Sequence, residues 1–591
     1  MHRLNLFLSL GLAVLPQQAQ AEQTPCPLLG AIFPPVQHPL KSTNFSDTIA
    51  NLTTTFDDLD KDGTLDGLNT TFYVQAFSTS DTLFHYKYVP QGMKGFLTSD
   101  TLNEDTVFRI GSISKLLTVY TLLAEVGMKR MNDPVTKWVP ELARVVKKNK
   151  GDPTRKVQWD EVTIGQLAGQ MAGINRDFGL YDLESNFEST HEDPEKYGLP
   201  LLGKNDSPKC SIAEPSLGPC SRKQFFQGVT AETFLPITST GNTPVYSNMA
   251  YQILAYALEG MTGKSFEKSI KSSLLSPLSM KRTTLEAPKD KKNAMIPENE
   301  LVSSWNMTLG DATPYGGMFS TIADMTRLGQ SIFKSSILEP ATTRSWLKPI
   351  SHTANVYFSV GMPWEIRRMN LPLGRGKRVV DLYTKNGALG LYTAIFVLSP
   401  DHEIGYVALI AGSGRDSLLS YLPEVLAETL LPAAEDAARE TAAARFAGSF
   451  EGPKSQITVE MDDTLVVRNW TRGDVDIIAT QTAILYPGLD VSVVLRLYPM
   501  GLEGNGRMSF RAIFEVNAKG GSEAESDANA TETETETGAS PFTGGCLSWG
   551  GVGTLSYGNI GFDDFEFEID QNGKATGIRA RVMRETLEKV D

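Results

Sequence analysis

Phe108-Arg109-Ile110-Gly111-Ser112-Ile113-Ser114-Lys115 sets a serine three residues before a lysine, just where the apolar spacing predicts a helix over 113–126. Residues at i and i+3 share one helix face, with Cβ atoms roughly 5–6 Å apart. A helix N-terminus also contributes partial positive charge and N–H groups beside the hydroxyl. The stretch therefore predicts that Ser112 is a nucleophile activated by Lys115.

The Ser-x-x-Lys spacing needs partners, because Ser265…Lys268 and Ser331…Lys334 share it. A lysine accepts a proton only if burial and a second cation lower its pKa. Tyr246-Ser247-Asn248 supplies a phenol to relay the proton and an amide to hold a substrate carbonyl. Lys385-Asn386-Gly387 supplies the second cation, with a glycine that lets backbone approach the substrate. Chance matches to these triplets also occur, at Tyr557-Gly558-Asn559, Lys61-Asp62-Gly63 and Lys519-Gly520-Gly521.

The order of the three motifs resembles that of the serine β-lactamase and penicillin-binding-protein superfamily, most closely its class C β-lactamase-related branch. The resemblance spans roughly residues 45–425 and implies an α/β (α+β) fold of the β-lactamase/transpeptidase type, with an antiparallel sheet flanked by helices. Minor motifs agree with it, at Asn132-Asp133-Pro134-Val135, Thr163-Ile164, Gly173-Ile174, Gly316 to Thr321 and Asp324. From Phe446 onward, short apolar strands alternate with turn residues, which predicts a small β-barrel-like domain similar to an appendage of some relatives.

The resemblance also implies roles for single residues. Ser112 would attack a carbonyl and form an acyl-enzyme, while Lys115 and Tyr246 would share general-base and general-acid work. The substrate-binding residues would be Asn248, Lys385, Asn386, Gly387 and Ala388, with the N–H groups of Ser112 and Ala388 forming an oxyanion hole. Asn386 stands where relatives usually have threonine, which argues against a penicillin-like substrate. Residues 167–173 also lack the usual His-Thr-Ser pattern.

The sequence predicts four parts. Residues 1–21 have the charged start, apolar run and small-residue end of a secretory signal peptide. We expect an extended, Pro-rich surface segment over 22–43, a catalytic domain over 44–430 and a β-rich domain over 440–591, whose acidic run at about 522–540 predicts a disordered loop. The stretch from about 180 to 230 is polar and predicts a surface insertion.

The predicted secretion bears on the cysteines and on the glycosylation sequons, because a secreted chain meets an oxidising compartment. Cys210 and Cys220 bracket a short segment, which predicts a local disulfide. Cys26 and Cys546 form either a second bridge, which we favour, or two free thiols. Glycosylation sequons occur at Asn44, Asn51, Asn69, Asn205, Asn306, Asn469 and Asn529.

The net charge and the motifs of the chain limit the classes of partner and of function that we expect. A net charge of −14 argues against nucleic acid and anionic membranes, and no cofactor or metal site is expected. A Ser-His-Asp hydrolase would need a Gly-x-Ser-x-Gly elbow, which the chain lacks. The expected function is a secreted hydrolase of an ester, lactone or amide of a small molecule. Acyl transfer through the same acyl-enzyme, or a non-catalytic binding role, are the alternatives.

Overall fold

The chain folds as two units, an α/β unit that carries all three motifs and a unit built on a β-barrel. The computed structural model describes residues 25–148, 151–180, 183–184, 192–203, 206, 208–213, 216–374, 376–518 and 546–590. The α/β unit comprises Asp47–Met369 and Asp381–Thr429; the barrel unit comprises Met1–Ser46, Asn370–Val380 and Leu430–Asp591. The predicted signal peptide and acidic loop lie outside the described residues.

An eight-stranded sheet forms the centre of the α/β unit. Among the described residues, the first ten strands are β1 (Thr70–Phe77), β2 (Thr82–Tyr88), β3 (Phe108–Arg109), β4 (Phe319–Ser320), β5 (Ser351–His352), β6 (Phe358–Val360), β7 (Glu365–Leu373), β8 (Gly376–Leu389), β9 (Tyr392–Ser399) and β10 (Ile404–Gly412). β3 pairs with β4, and the others form one sheet in the order β2-β1-β10-β9-β8-β7-β6-β5. The sequence is rich in aromatic residues over 72–77 and 83–88, which predicts two paired strands, and the antiparallel pairing of β1 with β2 confirms them.

Helices cover both faces of this sheet. The α-helices are α1 (Thr43–Lys61), α2 (Thr64–Gly67), α3 (Ser114–Val126), α4 (Pro140–Lys148), α5 (Ile164–Ala168), α6 (Arg222–Val229), α7 (Met249–Thr262), α8 (Phe266–Ile270), α9 (Thr313–Gly316), α10 (Ile322–Phe333), α11 (Pro340–Trp346), α12 (Arg415–Phe446), α13 (Ile477–Leu485) and α14 (Ser548–Gly551). On one face, Phe56 of α1 stacks on Tyr86 at 4.9 Å. On the other face, Gly329 of α10 lies so close to Phe77 that a Cβ there would be 2.3 Å from the ring.

The nucleophile helix α3 is buried on all sides rather than along one apolar face. Its first ten residues, Ser114 to Leu123, are all buried, including Lys115 and two threonines. The hydroxyls of Thr118 and Thr121 donate to backbone carbonyls one turn back, so their burial leaves no hydroxyl unsatisfied. A helix enclosed in this way holds Lys115 in one position.

The barrel unit closes on itself. Its strands are β11 (Gly448–Glu451), β12 (Ser455–Met461), β13 (Leu465–Arg472), β14 (Val475–Asp476), β15 (Val491–Gly504), β16 (Arg507–Ala518), β17 (Ser556–Tyr557), β18 (Ile560–Gly561), β19 (Asp564–Ile569), β20 (Ala575–Ala580) and β21 (Leu587–Val590). Eight of them run in the order β12-β11-β21-β20-β19-β16-β15-β13, and pairing of β13 with β12 closes the antiparallel barrel. Phe446, Phe510 and Phe567 pack within 5.2 Å of one another in its core.

Three local predictions differ from the structure. The Ala/Glu-rich composition of residues 433–445 predicts a helix over that range. In the structure the helix begins at Arg415, because leucines at spacings of four bury one face of a longer helix (Leu418, Leu422, Leu426 and Leu430). The N-terminal segment is not purely superficial, since Ile32 and Phe33 are buried in the barrel core cluster. The predicted insertion also enters the core, through Phe225 and Phe226 of α6 and through Cys210 and Cys220.

Both disulfides are formed in the structure. Cys210 is bonded to Cys220, and Cys26 is bonded to Cys546. The second bridge joins the first described residues to the segment that follows the acidic run, within the barrel unit. Ser548 supports the same junction by donating to the carbonyl of Pro27 at 3.0 Å.

Candidate active site

The nucleophile motif forms a tight turn between β3 and α3. Gly111 opens this turn with a φ of +48°, a region that side chains disfavour, and a Cβ there would lie 2.4 Å from the Ala388 amide nitrogen. The Ser114 hydroxyl donates to the Gly111 carbonyl at 2.7 Å and accepts from the Met318 amide at 3.1 Å. The turn therefore needs a glycine, and it fixes where Ser112 points.

Three predicted residues meet at the Ser112 hydroxyl. Lys115 Nζ lies 2.9 Å from Ser112 Oγ, and the Tyr246 hydroxyl donates to the same oxygen at 3.0 Å. Lys115 Nζ also donates to Asn248 Oδ1 at 2.7 Å and to the Tyr315 carbonyl at 2.6 Å. Lys115 is fully buried, whereas Ser112 and Tyr246 are partly exposed. A substrate can therefore reach the hydroxyl while the lysine stays enclosed.

Burial makes Lys115 a usable base. Its pKa is lowered to about 8, chiefly because burial disfavours the charged form and partly because Lys385 is nearby. For Tyr246, burial alone would raise the pKa, but the positive charges of Lys115 and Lys385 outweigh it and lower the pKa to about 8. The two groups form a coupled pair that can exchange a proton near neutral pH.

Lys385 behaves in the opposite way. It is also buried, yet its Nζ forms an ion pair with Glu365 Oε1 at 2.5 Å and donates to the Asn386 carbonyl at 2.8 Å. Burial tends to lower the pKa of Lys385, but Glu365 and Tyr246 more than offset this and raise it. Lys385 therefore remains a fixed cation, 5.5 Å from the centre of the Tyr246 ring.

Backbone of β8 lies against the nucleophile turn. A Cβ at Gly387 would lie 2.0 Å from the Ile110 carbonyl oxygen and 2.9 Å from the Ser112 amide nitrogen. The same turn places Gly111 next to the Ala388 amide, as described above. The resemblance assigns the amides of Ser112 and Ala388 to an oxyanion hole. Both amides lie where β8 packs against the nucleophile turn. Only glycine at 387 permits that approach.

Asn386 is held by its backbone rather than by its side chain. Its amide donates to Glu365 Oε2 at 3.0 Å. Its side-chain Oδ1 is buried and has no hydrogen-bond partner among the described residues. Glu365 therefore organises both Lys385 and Asn386, a contact that no sequence motif signals.

Asn248 has both ends of its side-chain amide engaged. Oδ1 accepts from Lys115, and Nδ2 donates to Asp177 Oδ1 at 2.7 Å. Burial raises the pKa of Asp177, although the hydrogen bond from Asn248 and the charge of Arg176 act against the rise. The Arg176 side chain is exposed and lies over the Tyr246 ring at 4.6 Å. Asp177 and Glu365 are the two site residues that the sequence analysis missed.

The competing Ser-x-x-Lys pairs have structural roles. Ser265 caps α8 by accepting from the Lys268 amide at 3.3 Å. Ser331 is buried in α10, where its hydroxyl donates to the Leu328 carbonyl at 2.7 Å. Of the chance triplets, Lys61 forms an exposed ion pair with Asp58, and Lys519 lies outside the described residues.

Within the described ranges there is no group of three or more His, Cys, Asp or Glu side chains placed to hold a metal ion. In the same part of the chain, no helix combines the length and apolar character needed to cross a membrane.

Comparison with known proteins adds the family. A family model described as Beta-lactamase matches residues 78–431, and one described as "Beta-lactamase-like-like, C-terminal domain" matches residues 438–591. A "Beta-lactamase-like protein" of Arthroderma benhamiae is 26% identical over 95% of this chain and 95% of its own. A protein of Phoma sp. named "Probable hydrolase M10" is 25% identical over 66% of this chain and 62% of its own.

One of the matching solved structures covers most of the chain. The octameric penicillin-binding protein homologue from Pyrococcus abyssi is 17% identical, with a TM-score of 0.44 over 79% of this chain and 95% of that one. The Beta-lactamase model spans more than half of the sequence and includes the nucleophile turn, the Tyr246 motif and β8. This protein therefore belongs to the β-lactamase family and is a hydrolase of that family.

Proposed function

We propose that this protein is a secreted serine hydrolase that cleaves an ester, lactone or amide of a small molecule through an acyl-enzyme on Ser112. The observation that carries the proposal is the approach of two proton-exchanging groups to one hydroxyl. Lys115 Nζ and Tyr246 Oη lie 2.9 and 3.0 Å from Ser112 Oγ, within the reach that proton transfer requires.

The first half-reaction acylates the serine. The Ser112 hydroxyl loses its proton to the Lys115–Tyr246 pair as Oγ bonds to the substrate carbonyl carbon. The carbonyl oxygen becomes an oxyanion, and the amides of Ser112 and Ala388 are the candidate donors to it. Such a donor typically contributes about 3 kcal/mol to the transition state. The bond to the leaving group then breaks, and the leaving group takes the proton from the pair.

The second half-reaction releases the acyl group. A water molecule gives a proton to the same pair and attacks the acyl carbonyl, which restores the Ser112 hydroxyl and frees the acid. Lys385 stays protonated throughout, because Glu365 holds its charge, and it keeps a positive potential beside Tyr246. That potential favours a Tyr246 that gives and takes a proton near neutral pH.

Substrate recognition separates this protein from penicillin-like chemistry. The position usually held by a threonine hydroxyl is Asn386, whose side-chain oxygen is buried, and the charge of Lys385 is already paired with Glu365. The missing threonine hydroxyl and the paired charge of Lys385 therefore both weaken the hold on a substrate carboxylate. The "Probable hydrolase" name of the Phoma relative agrees with a hydrolytic reaction.

Secretion is supported by the oxidised state of the cysteines. Both disulfides are formed, and disulfides persist mainly in oxidising compartments. Five of the predicted glycosylation asparagines are exposed in the described residues: Asn44, Asn51, Asn69, Asn306 and Asn469.

Covalent labelling tests the proposal. Wild-type protein incubated with a fluorophosphonate probe, or with a set of activated esters, should gain one adduct by intact mass, and peptide mapping should place it on Ser112. Ser112→Ala should abolish both labelling and hydrolysis. Ser265→Ala, which removes the serine of a second Ser-x-x-Lys pair, should label normally. Undiminished labelling of Ser112→Ala would refute the assignment.

Partitioning of the acyl-enzyme then distinguishes hydrolysis from acyl transfer. Added alcohols and amines compete with water for the acyl group, and product analysis gives the ratio of acylated acceptor to free acid. We expect free acid to predominate at millimolar acceptor. Quantitative transfer to an acceptor under those conditions would make the protein an acyltransferase.

A further inference from the structure

Asp177 has no part in the mechanism above, yet it lies at the end of a chain of hydrogen bonds that reaches the nucleophile. Asp177 Oδ1 accepts from Asn248 Nδ2 at 2.7 Å, Asn248 Oδ1 accepts from Lys115 Nζ at 2.7 Å, and Lys115 Nζ lies 2.9 Å from Ser112 Oγ. We propose that Asp177 is a positioning residue that directs the lone pair of Lys115 at Ser112 by fixing the orientation of the Asn248 amide. The inference rests on the proposed function.

The hydrogen bonds of a neutral Lys115 determine where its lone pair points. An uncharged amine has two N–H donors and one lone pair, and Lys115 Nζ has three neighbours within hydrogen-bond distance. Two of them, the Tyr315 carbonyl and Asn248 Oδ1, are oxygens that can only accept. They take both N–H groups, so the lone pair is left for the Ser112 hydroxyl. This arrangement directs the lone pair of Lys115 at the Ser112 hydroxyl.

The arrangement fails if the Asn248 amide turns over. An amide flip would present the Nδ2 group to Lys115, where its N–H would compete with the Ser112 hydroxyl for the lone pair. An ionised carboxylate accepts hydrogen bonds and donates none. Asp177 therefore requires a donor from Asn248, which keeps Nδ2 on its own side and Oδ1 on the side of Lys115.

The backbone around Asp177 keeps it in that position. The Asn248 and Met249 amides both donate to the Arg176 carbonyl, at 2.7 and 3.2 Å, and the Ser247 hydroxyl donates to the Asn175 carbonyl at 2.7 Å. The segment before Asp177 is thus bonded to the turn that carries Asn248. The Asp177 side chain is only 11% exposed, and the nearest guanidinium, Arg176, is 65% exposed and 3.5 Å away. Asn248 is therefore its best-placed partner.

A single substitution and a swap test the proposal with p-nitrophenyl acetate as the probe. The pre-steady-state burst of nitrophenolate gives the acylation rate between pH 6 and 9.5. Asp177→Asn keeps the shape but can offer either an oxygen or an N–H to Asn248, so both orientations become populated. We expect the acylation rate to fall about tenfold, which corresponds to a turned-over Asn248 amide in about nine molecules of ten. Asp416→Asn, an exposed carboxylate with the same change of net charge, should leave the burst unchanged.

The swapped pair, Asp177→Asn with Asn248→Asp, restores an acceptor oxygen on the Lys115 side. Asn at 177 then donates to the carboxylate at 248, whose second oxygen accepts from Lys115. The acid limb of the pH profile should lie at higher pH in the swapped pair. Above that limb, we expect the acylation rate to recover to within about threefold of wild type. The limb should move up by about one pH unit, because a carboxylate next to Lys115 favours its protonated form. A residue with a merely structural role would show neither the rescue nor the shift.

The outcomes separate this inference from the proposed function. Wild-type protein that forms no adduct on Ser112 refutes the proposed function, and the inference with it. Wild-type acylation with an unaltered rate and pH profile in Asp177→Asn refutes the inference alone. So does a swap that is no faster than Asp177→Asn at any pH. If Asp177→Asn does not fold by circular dichroism, the swap is compared with Asn248→Asp alone, and a swap that is no faster than it also refutes the inference.

Discussion

Each unit of this protein buries cationic side chains, and two of these, Arg496 and Lys115, have opposite environments. In the barrel unit, Arg496 is paired with Glu515 at 2.7 Å and also donates to the Thr464 hydroxyl. In the α/β unit, Lys115 is buried as deeply but is bonded to carbonyl and hydroxyl oxygens, with no carboxylate among them. For Arg496, burial lowers the pKa but Glu515 more than compensates and raises it; for Lys115, burial prevails and the pKa falls.

The difference shows what makes a buried cation reactive. A carboxylate partner repays part of the desolvation cost and fixes the charge. A carbonyl partner accepts a hydrogen bond without fixing the charge, so the lysine can lose its proton and become a base. Lys385 has the first kind of environment, through Glu365, although it lies beside Lys115. The α/β unit therefore holds one lysine of each kind, and their roles follow from the presence or absence of a carboxylate.

The largest effect should come from a variant in which the side chain at position 115 cannot lose its proton. Lys115→Arg keeps the positive charge and the donors but cannot lose a proton near neutral pH. We expect acylation to slow by about a thousandfold, since a positioned base typically contributes 10²–10⁴-fold. Burst kinetics with an activated ester measures it. Lys268→Arg, in the Ser265-x-x-Lys268 pair, should have wild-type rates, and comparable loss in both variants would contradict the comparison.

The next effect concerns the paired cation of the barrel. Glu515→Gln leaves Arg496 buried without a carboxylate, and we expect about 3 kcal/mol of lost stability. Replacing both partners with apolar residues, as Arg496→Met with Glu515→Leu, should recover most of that loss. Urea unfolding measures it. Glu460→Gln, at an ion pair that is half exposed, should change nothing measurable. A double variant less stable than Glu515→Gln would show that the pair itself stabilises the barrel.

The sequence predicts the residues that meet at the Ser112 hydroxyl, but it does not predict the carboxylates that contact the site. Ser112, Lys115 and Tyr246 lie in local motifs with fixed spacing and order, so their meeting could be predicted before the structure. The carboxylates are isolated in sequence: Glu365 lies twenty residues before Lys385, and Asp177 seventy-one before Asn248. Glu365 reaches Lys385 only because β7 pairs with β8. Asp177 reaches Asn248 only because the backbone of residues 175–176 is hydrogen-bonded to the turn at residues 247–249.

The fold shows the same division. Short apolar and aromatic runs bounded by turn residues predict β1, β2, β9 and β10, and the structure buries β1, β9 and β10 on both faces. The start of α12 was missed because Pro423 and Pro432 interrupt a pattern that four buried leucines nevertheless hold together. Likewise, polar composition around 180–230 hides a few aromatic side chains that enter the core. Long-range packing decided these regions, and a local pattern does not contain it.

The smallest effect is expected from Glu365→Gln, which removes the carboxylate partner of Lys385 and so makes its environment resemble that of Lys115. In wild type, the Lys115–Tyr246 pair must lose one proton before Ser112 can attack, so kcat/KM should rise with pH and level off above an apparent pKa of about 8. Below that value the rate should fall about tenfold per pH unit, as the protonated pair accumulates.

Glu365→Gln removes a negative charge that raises the pKa of both members of the pair. If Lys385 keeps its proton, the added positive potential lowers the pKa of Lys115 and Tyr246, and the acid limb moves down by roughly half to one pH unit. If Lys385 loses its proton instead, the net charge is unchanged and the limb stays in place. The plateau should also fall, because Glu365 positions Lys385 and the Asn386 amide. Asp416→Asn should reproduce neither change. An acid limb that moves to higher pH in Glu365→Gln is the one result this electrostatic picture cannot accommodate, because no charge state of Lys385 would produce it.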